Sequence, residues 1–338
     1  MQRNLREAIL WSQDGDVVDC FLCNHRCTIS EDHRGFCGVR ENRQGTLYSL
    51  VYGHLVTSSV EFIEKKPLYH FQPGSRSYSI ATPGCNFRCP WCQNWRISHS
   101  NGIGDLNQIA YTDPSHVVEK AKVEKCQSVC YTYTEPTIFM EYALDTARLA
   151  QKDGLKNVFV TNGYQTPEAV DTMQGLIDAA NIDLKSFSDD FYKEKCGARL
   201  EPVLETIKNM YKAGIHVEVT TLVVPGLNDS DDELSSIASF LSGISEDLPW
   251  HVTRFHPDFE AQDINPTPRE TIRCAIEIGR EEGLQYVYAG NIALPEGRDT
   301  VCPNCGHSVI QRGVLGETES KLEGDRCPHC GFHLPVVV

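Results

Sequence analysis

The stretch GCNFRCPWCQN, residues 84–94, decides how the rest of the sequence is interpreted. It follows directly on a short apolar segment, Tyr78–Thr82, that predicts a β-strand. Its spacing C-x3-C-x2-C places three thiols on one short loop, those of Cys85, Cys89 and Cys92. Iron–sulfur clusters usually take four cysteines, so three would leave one iron of a cubane without a protein ligand. Such an iron is the counterpart of the open position in a catalytic zinc site.

Residues 77–298 alternate between strand and helix patterns. The strand candidates are Tyr78–Thr82, Ser128–Thr132, Asn157–Thr161, Ala180–Lys185, His216–Val223, His251–Phe255 and Gln285–Tyr288. The helix candidates are Pro114–Glu124, Ile138–Lys152, Pro167–Asp178, Pro202–Ala213, Asp231–Leu241 and Pro268–Glu282. Alternating βα units predict an α/β fold with a parallel sheet, here a full or partial (β/α) TIM-type barrel. A doubly wound open sheet is the alternative. In a barrel, the reactive groups gather at the carboxyl ends of the strands.

The pattern C-x3-C-x-aromatic-C after the first strand, with Trp91 as the aromatic, resembles the signature of the radical S-adenosylmethionine (SAM) superfamily. The resemblance implies that the three cysteines hold a [4Fe–4S] cluster whose open iron binds the amine and carboxylate of SAM. In the family, one electron from the cluster cleaves SAM to methionine and a 5′-deoxyadenosyl radical, which abstracts a hydrogen atom. A zinc knuckle with a fourth ligand such as His99 is the alternative for these cysteines.

Two of the later strands end in polar pairs. Thr134 and Glu135 resemble the superfamily's Gly-Gly-Glu-type stretch, which binds the methionyl amine; the alternative makes Glu135 an acid at a helix N-terminus. Asp183 and Lys185 lie on the same side of a strand. A similar Asp-x-Lys in pyruvate formate-lyase activating enzymes lies beside SAM, and an internal salt bridge is the alternative.

Further positions are assigned to the cofactor by resemblance alone. Asn162 follows the third strand, and Val224 begins a Val-Pro-Gly loop like the one near the adenosine in the activating enzymes. His251 matches the family's histidine on strand six, and Asn291 follows the last strand. An ordinary turn at Val224 and a structural histidine at 251 are the alternatives.

The C-terminal segment 299–338 carries two Cys-Pro-x-Cys-Gly knuckles. They supply Cys302, Cys305, Cys327 and Cys330, and they predict a zinc-ribbon-like tail. Iron in a rubredoxin-like site would use the same ligands.

The N-terminal segment 1–76 carries a third group with the spacing C-x2-C-x3-C followed by a fourth cysteine. Its members are Cys20, Cys23, Cys27 and Cys37. Zinc and a second [4Fe–4S] cluster both fit this group; a cluster could relay electrons, whereas zinc would only brace the segment. The four remaining cysteines, Cys126, Cys130, Cys196 and Cys274, are expected in the core, with Cys130 a distant candidate for a radical-relaying thiol.

Composition narrows the class of protein. The chain has 338 residues and a formal net charge of −15, which disfavours a nucleic-acid partner. Residues 1–11 do not read as a secretory signal, and no run of about 18 apolar residues occurs, so a soluble, cytoplasmic protein without a membrane span is expected. In a reducing compartment, fifteen cysteines in tight groups indicate metal ligands rather than disulfides.

The whole chain resembles the branch of the superfamily called AmmeMemoRadiSam, which is related to the pyruvate formate-lyase activating enzymes. The resemblance rests on the two outer cysteine groups, on Gln93-Asn94 and on the stretch Glu64–Phe71. It implies a ferredoxin or flavodoxin as electron donor and AMMECR-type or Memo-type proteins as partners.

Three functions stay open. They are hydrogen abstraction from a protein or peptide, as in the glycyl-radical activases; the same chemistry on a small molecule or nucleoside; and a non-catalytic electron carrier or zinc adaptor. A carrier needs no polar strand ends around its cluster, so these residues favour an enzyme.

Overall fold

The computed structural model describes residues 5–99, 108–313 and 317–338. The chain begins with two small antiparallel sheets. In chain order their strands are β1 (Arg6–Glu7), β2 (Trp11–Asp14), β3 (Val17–Cys20), β4 (Thr28–Ser30), β5 (Arg40–Arg43) and β6 (Thr46–Ser49). Strands β1, β6 and β5 form one sheet, and β2, β3 and β4 form the other.

An eight-stranded sheet forms the centre of the molecule. Its strands are β7 (Thr57–Phe62), β8 (Arg76–Ala81), β9 (Ser128–Tyr131), β10 (Lys156–Thr161), β11 (Ala179–Asp183), β12 (His216–Val223), β13 (Trp250–Arg254) and β14 (Val287–Gly290). Strands β8 to β14 are parallel, which confirms the predicted central parallel sheet, and each predicted strand is found within two residues at either end. Strand β7 was not predicted; it pairs antiparallel with β8, so the sheet extends across the predicted boundary at residue 76.

The strands lie in the sheet in the order in which they occur along the chain. A doubly wound sheet needs a point at which this order reverses, and the described strands contain none. Hydrogen bonding ends at β7 on one edge and at β14 on the other, so the described strands form an open sheet rather than a closed barrel.

Eight α-helices lie between the strands of the described residues. They are α1 (Trp95–Ser98), α2 (Pro114–Val123), α3 (Met140–Lys152), α4 (Pro167–Met173), α5 (Asp189–Phe191), α6 (Leu200–Lys212), α7 (Asp231–Ser242) and α8 (Arg269–Glu281). Side chains of Asp113, Thr166 and Ser230 cap α2, α4 and α7. Helix α4 ends earlier than predicted because the backbone leaves the helical region at Gln174, before Gly175 at φ +75°.

The C-terminal segment forms a third small antiparallel sheet of β15 (Thr300–Val301), β16 (Ser308–Arg312) and β17 (Thr318–Ser320). Its buried residues pack against Tyr286 and Tyr288 at the last strand of the central sheet. Across the described ranges, no helix combines the length and the apolar character needed to cross a membrane.

Candidate active site

A cavity of about 370 Å³ opens at the carboxyl ends of the central parallel strands. The sulfur-bearing loop that follows β8 forms one wall through Cys85, Cys89 and Cys92. Polar residues from the ends of β9, β10 and β11 line much of the rest. The positions that the sequence assigned to a cofactor and that line this cavity are Thr134, Glu135, Asn162, Asp183 and Lys185, with Trp91 from the cysteine loop and Asn291 after β14. The fold therefore brings together side chains that lie up to about two hundred residues apart in the sequence.

The three thiols have different surroundings. Cys92 Sγ lies 3.2 Å from the hydroxyl oxygen of Ser98. Cys89 Sγ lies 3.9 Å from the sulfur of Cys196, and this contact, together with the charge of Lys185, lowers the pKa of Cys89. Burial raises the pKa of Cys85, and the neighbouring carboxylate of Glu135 adds to that effect. Cys89 is thus the thiol of the three that ionises most readily, which suits a metal ligand.

Sulfur spacing distinguishes these cysteines from a zinc knuckle. Four thiolates at about 2.3 Å around one tetrahedral zinc lie about 3.8 Å from one another. In the part of the chain that the structure describes, only the tail cysteines bring three or more such ligand atoms within 4.8 Å of one another. The sulfurs after β8 line a cavity without converging, and His99 Nδ1 is hydrogen-bonded to Ser98 Oγ at 3.0 Å. This donor set fits a cubane better than it fits a single zinc ion.

Cys196 contacts Cys89, which the sequence did not predict. It was expected in the core, and it is fully buried. It ends a π-helical turn, Tyr192–Cys196, that places its sulfur beside Cys89. Cys196 does not line the cavity, so it lies behind Cys89 and away from the open side of the site.

Glu135 is buried and organises the strand ends around it. Its carboxylate accepts hydrogen bonds from the backbone N–H and hydroxyl of Thr137, from Thr161 Oγ1 at 2.7 Å and from the Asn162 N–H at 2.8 Å. It caps the 3₁₀ helix Pro136–Phe139, which agrees with the alternative that places an acid at a helix N-terminus. Burial raises the pKa of Glu135, and these donors oppose that shift. Because the carboxylate also lines the cavity, the capping role and a binding role are compatible.

Tyr133 occupies the place where the superfamily pattern has glycine. Its φ of +64° lies in the left-handed region, so the backbone keeps a glycine-like conformation despite the bulky side chain. The Asn94 side chain donates a hydrogen bond to the Tyr133 carbonyl, and Thr134 Oγ1 donates one to the carbonyl of Thr82. These contacts join the cysteine loop to the end of β9.

Asp183 and Lys185 form the salt bridge that was the alternative to ligand binding, with Nζ 2.9 Å from Oδ2. Burial alone would lower the pKa of Lys185, but Asp183, Cys89 and Cys196 together raise it, so the ammonium is charged. Both side chains line the cavity, and Asp183 remains about one-third exposed. The pair can therefore present both charges to a bound molecule.

Asn162 links two parts of the site. Its Nδ2 donates to Asn86 Oδ1 at 2.7 Å and lies 4.0 Å from Cys85 Sγ. Trp91 is almost fully buried and packs near Phe191, with ring centroids 5.5 Å apart.

His251 and Val224 lie outside this cavity. His251 lines an adjoining cavity of about 440 Å³, and its Nε2 is 2.6 Å from Glu218 Oε2. Glu218 also accepts hydrogen bonds from the N–H groups of Tyr69 and His70, which makes His251 part of a buried structural network. Val224 is buried, and its N–H donates to Asn228 Oδ1, as in an ordinary turn after a strand. The positions of His251 and Val224 therefore do not support their assignment to the cofactor site.

Residues of the segment after β7 were missed as site residues. Lys65 and Lys66 line the cavity; Lys66 is buried, pairs with Glu61 and lies 4.4 Å from the centre of the Tyr133 ring. In the sequence analysis, the stretch that contains these lysines supports only the family resemblance. Two adjacent lysines normally indicate a solvent-exposed segment, so the sequence pattern does not predict that one of them is buried.

The tail cysteines form a compact tetrad. Cys302 and Cys330 have sulfurs 3.6 Å apart, as do Cys305 and Cys327, and all four ligand atoms lie within 4.8 Å of one another. The knuckle glycines, Gly306 and Gly331, both have positive φ (74° and 73°), as tight metal-binding turns require. These distances fit one tetrahedral metal ion.

The other expected core cysteines divide into two kinds. Cys126 and Cys130 are buried, and neither lines the cavity, so Cys130 gains no support as a radical relay. Cys274 was wrongly placed in the core: it is partly exposed on α8, because the buried stripe of that helix runs through other residues, Ile272, Ala275, Ile276 and Gly279.

Comparison with known proteins gives consistent results. Residues 79–240 match a family model described as the Radical SAM superfamily. An uncharacterized protein of Methanocaldococcus jannaschii is 43% identical over 340 residues, covering 99% of this chain and all of the relative. Pyruvate formate-lyase 1-activating enzyme of Escherichia coli K12 is 23% identical over 223 residues, covering 61% of this chain and 89% of that enzyme.

Among solved structures, Streptococcus suis SuiB bound to S-adenosylmethionine resembles this fold with a TM-score of 0.51. The match covers 76% of this chain and 65% of SuiB at 13% sequence identity, so it shows a shared fold only.

Proposed function

Since this chain belongs to the radical SAM superfamily and is an enzyme related to the pyruvate formate-lyase activating enzymes, we propose that its 370 Å³ cavity binds SAM against a [4Fe–4S] cluster on Cys85, Cys89 and Cys92. The observation that carries the proposal is that three sulfurs, spaced too widely for one zinc ion, line the same cavity as charged residues from the strand ends. When bound, the cluster supplies the electron that cleaves SAM to methionine and a 5′-deoxyadenosyl radical.

The chain's own residues bind and orient in this scheme. Lys185 carries a positive charge into the cavity that complements the methionine carboxylate, and Asp183 offers an acceptor for hydroxyl or ammonium groups. Glu135 holds the ends of β9 and β10 in place and presents a carboxylate that complements the methionine ammonium. Trp91 closes the cysteine loop against Phe191, which keeps water from the reactive end of the cavity.

We propose a protein or peptide as the substrate from which hydrogen is abstracted, as for glycyl-radical activases. The support is the similarity to an activating enzyme over most of that enzyme's length. AMMECR-type and Memo-type proteins are the candidate partners, and a ferredoxin or flavodoxin is the candidate donor.

A second candidate is an anionic small molecule. The adjoining 440 Å³ cavity shares Lys65, Thr253 and Asn291 with the proposed SAM cavity, and Arg298 and Arg312 lie on its wall. A carboxylate or phosphate in that space would meet three cationic side chains, against one carboxylate from Glu64. A pure electron carrier has no use for either cavity.

For the rest of the molecule, we propose zinc in the tail tetrad as a structural ion, and a partial barrel as the shape of the central sheet. The 3.6 Å sulfur separations support zinc, and the sequential strand order supports the partial barrel.

The test is anaerobic reconstitution with iron and sulfide, followed by dithionite and SAM, with 5′-deoxyadenosine measured by chromatography. We expect product from the wild type and from Cys274→Ala, and none from Cys89→Ala, because the cubane then loses a ligand. Absence of product from wild type with a full cluster, or cleavage retained in Cys89→Ala, contradicts the proposal. Deuterium transfer into 5′-deoxyadenosine from a labelled partner protein, but not from labelled small anions, would support the protein substrate.

A further inference from the structure

The four N-terminal cysteines line one small cavity together with Arg40. Cys20 lies at the end of β3, Cys23 and Cys27 lie before β4, and Cys37 lies before β5. The sequence predicted a metal site here and left open whether it holds zinc or a second [4Fe–4S] cluster; the fold brings the four residues to the same cavity. The structure therefore supplies four sulfur ligands to one small space.

The cavity is built for a group with negative charge. Arg40 is 2% exposed, and its Nη1 lies 3.8 Å from Cys20 Sγ. Arg40 also pairs with the buried Glu141, but its Nε has no hydrogen-bond partner among the described residues. A buried guanidinium with a free N–H beside four thiols is stabilised if the thiols are ionised around a metal. The Phe36 N–H also points to Cys27 Sγ at 3.5 Å, which favours a thiolate there.

Sulfur spacing favours a cluster over zinc. The tail tetrad converges on one point, with its ligand atoms within 4.8 Å of one another. No three of the N-terminal sulfurs meet that limit within the described chain, although all four line the same cavity. The cysteines after β8 show the same spread arrangement around their own cavity. Thiolates bound to separate irons of a cubane need such a spread, whereas thiolates on one zinc do not have it.

The two spread cysteine groups are neighbours. Cys37 packs against the start of the cysteine loop that follows β8. A Cβ added to Gly84, whose φ is +102°, would lie 2.8 Å from Val39 Cγ1 and 3.3 Å from the Cys37 carbonyl oxygen, so the site favours glycine. His25, between Cys23 and Cys27, has its Nε2 2.7 Å from the carbonyl oxygen of Asn86, the residue after Cys85.

Asn86 itself bridges the two groups. It is fully buried, and its Nδ2 has no hydrogen-bond partner among the residues described. Its backbone carbonyl oxygen faces His25, between Cys23 and Cys27. On its other side, Asn86 Oδ1 accepts from Asn162, whose Nδ2 lies 4.0 Å from Cys85 Sγ. His25, Asn86 and Asn162 therefore connect the segment between Cys23 and Cys27 to the sulfur of Cys85.

We propose that Cys20, Cys23, Cys27 and Cys37 hold a second [4Fe–4S] cluster that passes electrons to the active-site cluster through the Asn86 contact. This inference rests on the proposed function. A ferredoxin- or flavodoxin-type donor gives one electron to the N-terminal cluster, which is reduced. That electron then moves to the active-site cluster, and the N-terminal cluster returns to its oxidised state. No proton and no bond changes hands in this transfer.

Metal and sulfide analysis of the intact, anaerobically reconstituted protein is the first test, with Mössbauer spectroscopy to identify the iron. We expect about eight iron and about eight sulfide per chain with about one zinc. About four iron and about two zinc would overturn the second cluster. If 5′-deoxyadenosine still forms in a protein with only four iron, the second cluster is refuted while the proposed function stands. If both clusters are present but no 5′-deoxyadenosine forms, the proposed function is refuted while the second cluster stands.

A variant pair provides the second test. Cys27→Ser should lose about half of the iron, whereas Cys274→Ser, a partly exposed cysteine far from the three groups in sequence, should lose none. With dithionite, which reduces the active-site cluster directly, Cys27→Ser should still cleave SAM; with reduced flavodoxin its cleavage should fall well below that of Cys274→Ser. Unchanged iron, or equal flavodoxin-driven cleavage in both variants, would overturn the relay. If Cys27→Ser does not fold, the Mössbauer result on the intact protein decides.

Discussion

Replacement of Glu135 by glutamine separates its capping role from a role in binding SAM. The carboxylate accepts four hydrogen bonds from three residues, Thr137, Thr161 and Asn162. Glutamine keeps one oxygen for Thr137 and Thr161, but it places an amide N–H₂ against the Asn162 N–H, so one charge-assisted bond is lost. Such a bond contributes about 1.5–3 kcal/mol, and we expect the free energy of unfolding to fall by about 2 kcal/mol.

Loss of the negative charge should also weaken the binding of SAM. A carboxylate–ammonium contact of about 1.5–3 kcal/mol corresponds to a roughly tenfold to hundredfold change in Kd. The matched control is Thr137→Ala, which removes the hydroxyl donor to Glu135 but keeps the backbone N–H donor and leaves the Glu135 charge at the cavity. Urea unfolding measures stability, and calorimetric titration of the reconstituted protein measures SAM affinity.

The two variants discriminate between the interpretations. We expect both to lose stability, but only Glu135→Gln to lose SAM affinity. Equal SAM affinity in Glu135→Gln and wild type would refute the binding role and leave Glu135 as a helix cap only.

Three further predictions follow from other parts of the structure. Lys185→Met should weaken SAM binding roughly tenfold or more, since it removes the ammonium placed for the methionine carboxylate, while the iron content stays at the wild-type level; an unchanged Kd by titration would contradict that placement. Cys302→Ala should release zinc and make the tail sensitive to limited proteolysis, while 5′-deoxyadenosine still forms; loss of active-site iron in this variant would show that the tail does more than brace the fold. Burial lowers the pKa of His70 to about 3, so the folded protein binds fewer protons than the unfolded chain below about pH 6.5. Stability should therefore be fully present above that pH and fall by about 1.4 kcal/mol per unit as pH drops towards 3. His70→Phe should show a shallower slope between pH 6.5 and 5.5 in urea unfolding, and an identical slope would contradict the assignment to His70.

The local parts of this fold were predictable because they depend on neighbouring residues. The strand His216–Val223 is found as predicted, since it is rich in Val and Thr, the β-branched residues that favour strands. The three cysteine groups were likewise found from spacing alone. In contrast, Thr57–Phe62 is an edge strand with three hydroxyl side chains, and this composition carries little strand signal.

The features that could not be predicted from the sequence depend on contacts between residues far apart along the chain. The contact between Cys89 and Cys196 spans 107 residues and depends on a π-helical turn. The partner of His251 is Glu218 on the neighbouring strand, a pairing that the local sequence around His251 does not indicate. Tyr133 adopts a left-handed backbone at a position where the superfamily pattern has glycine, and its bulky side chain gives no sign of this in the sequence.

The most direct test of the central claim is the electron paramagnetic resonance spectrum of the reduced active-site cluster, recorded in Cys27→Ser to remove the signal proposed for the N-terminal group. SAM should change this spectrum when added, because one iron lacks a protein ligand and is free to bind the methionine end of SAM. A spectrum that is identical with and without saturating SAM would mean that all four irons already have protein ligands, and it would contradict the assignment of Cys85, Cys89 and Cys92 as the complete ligand set.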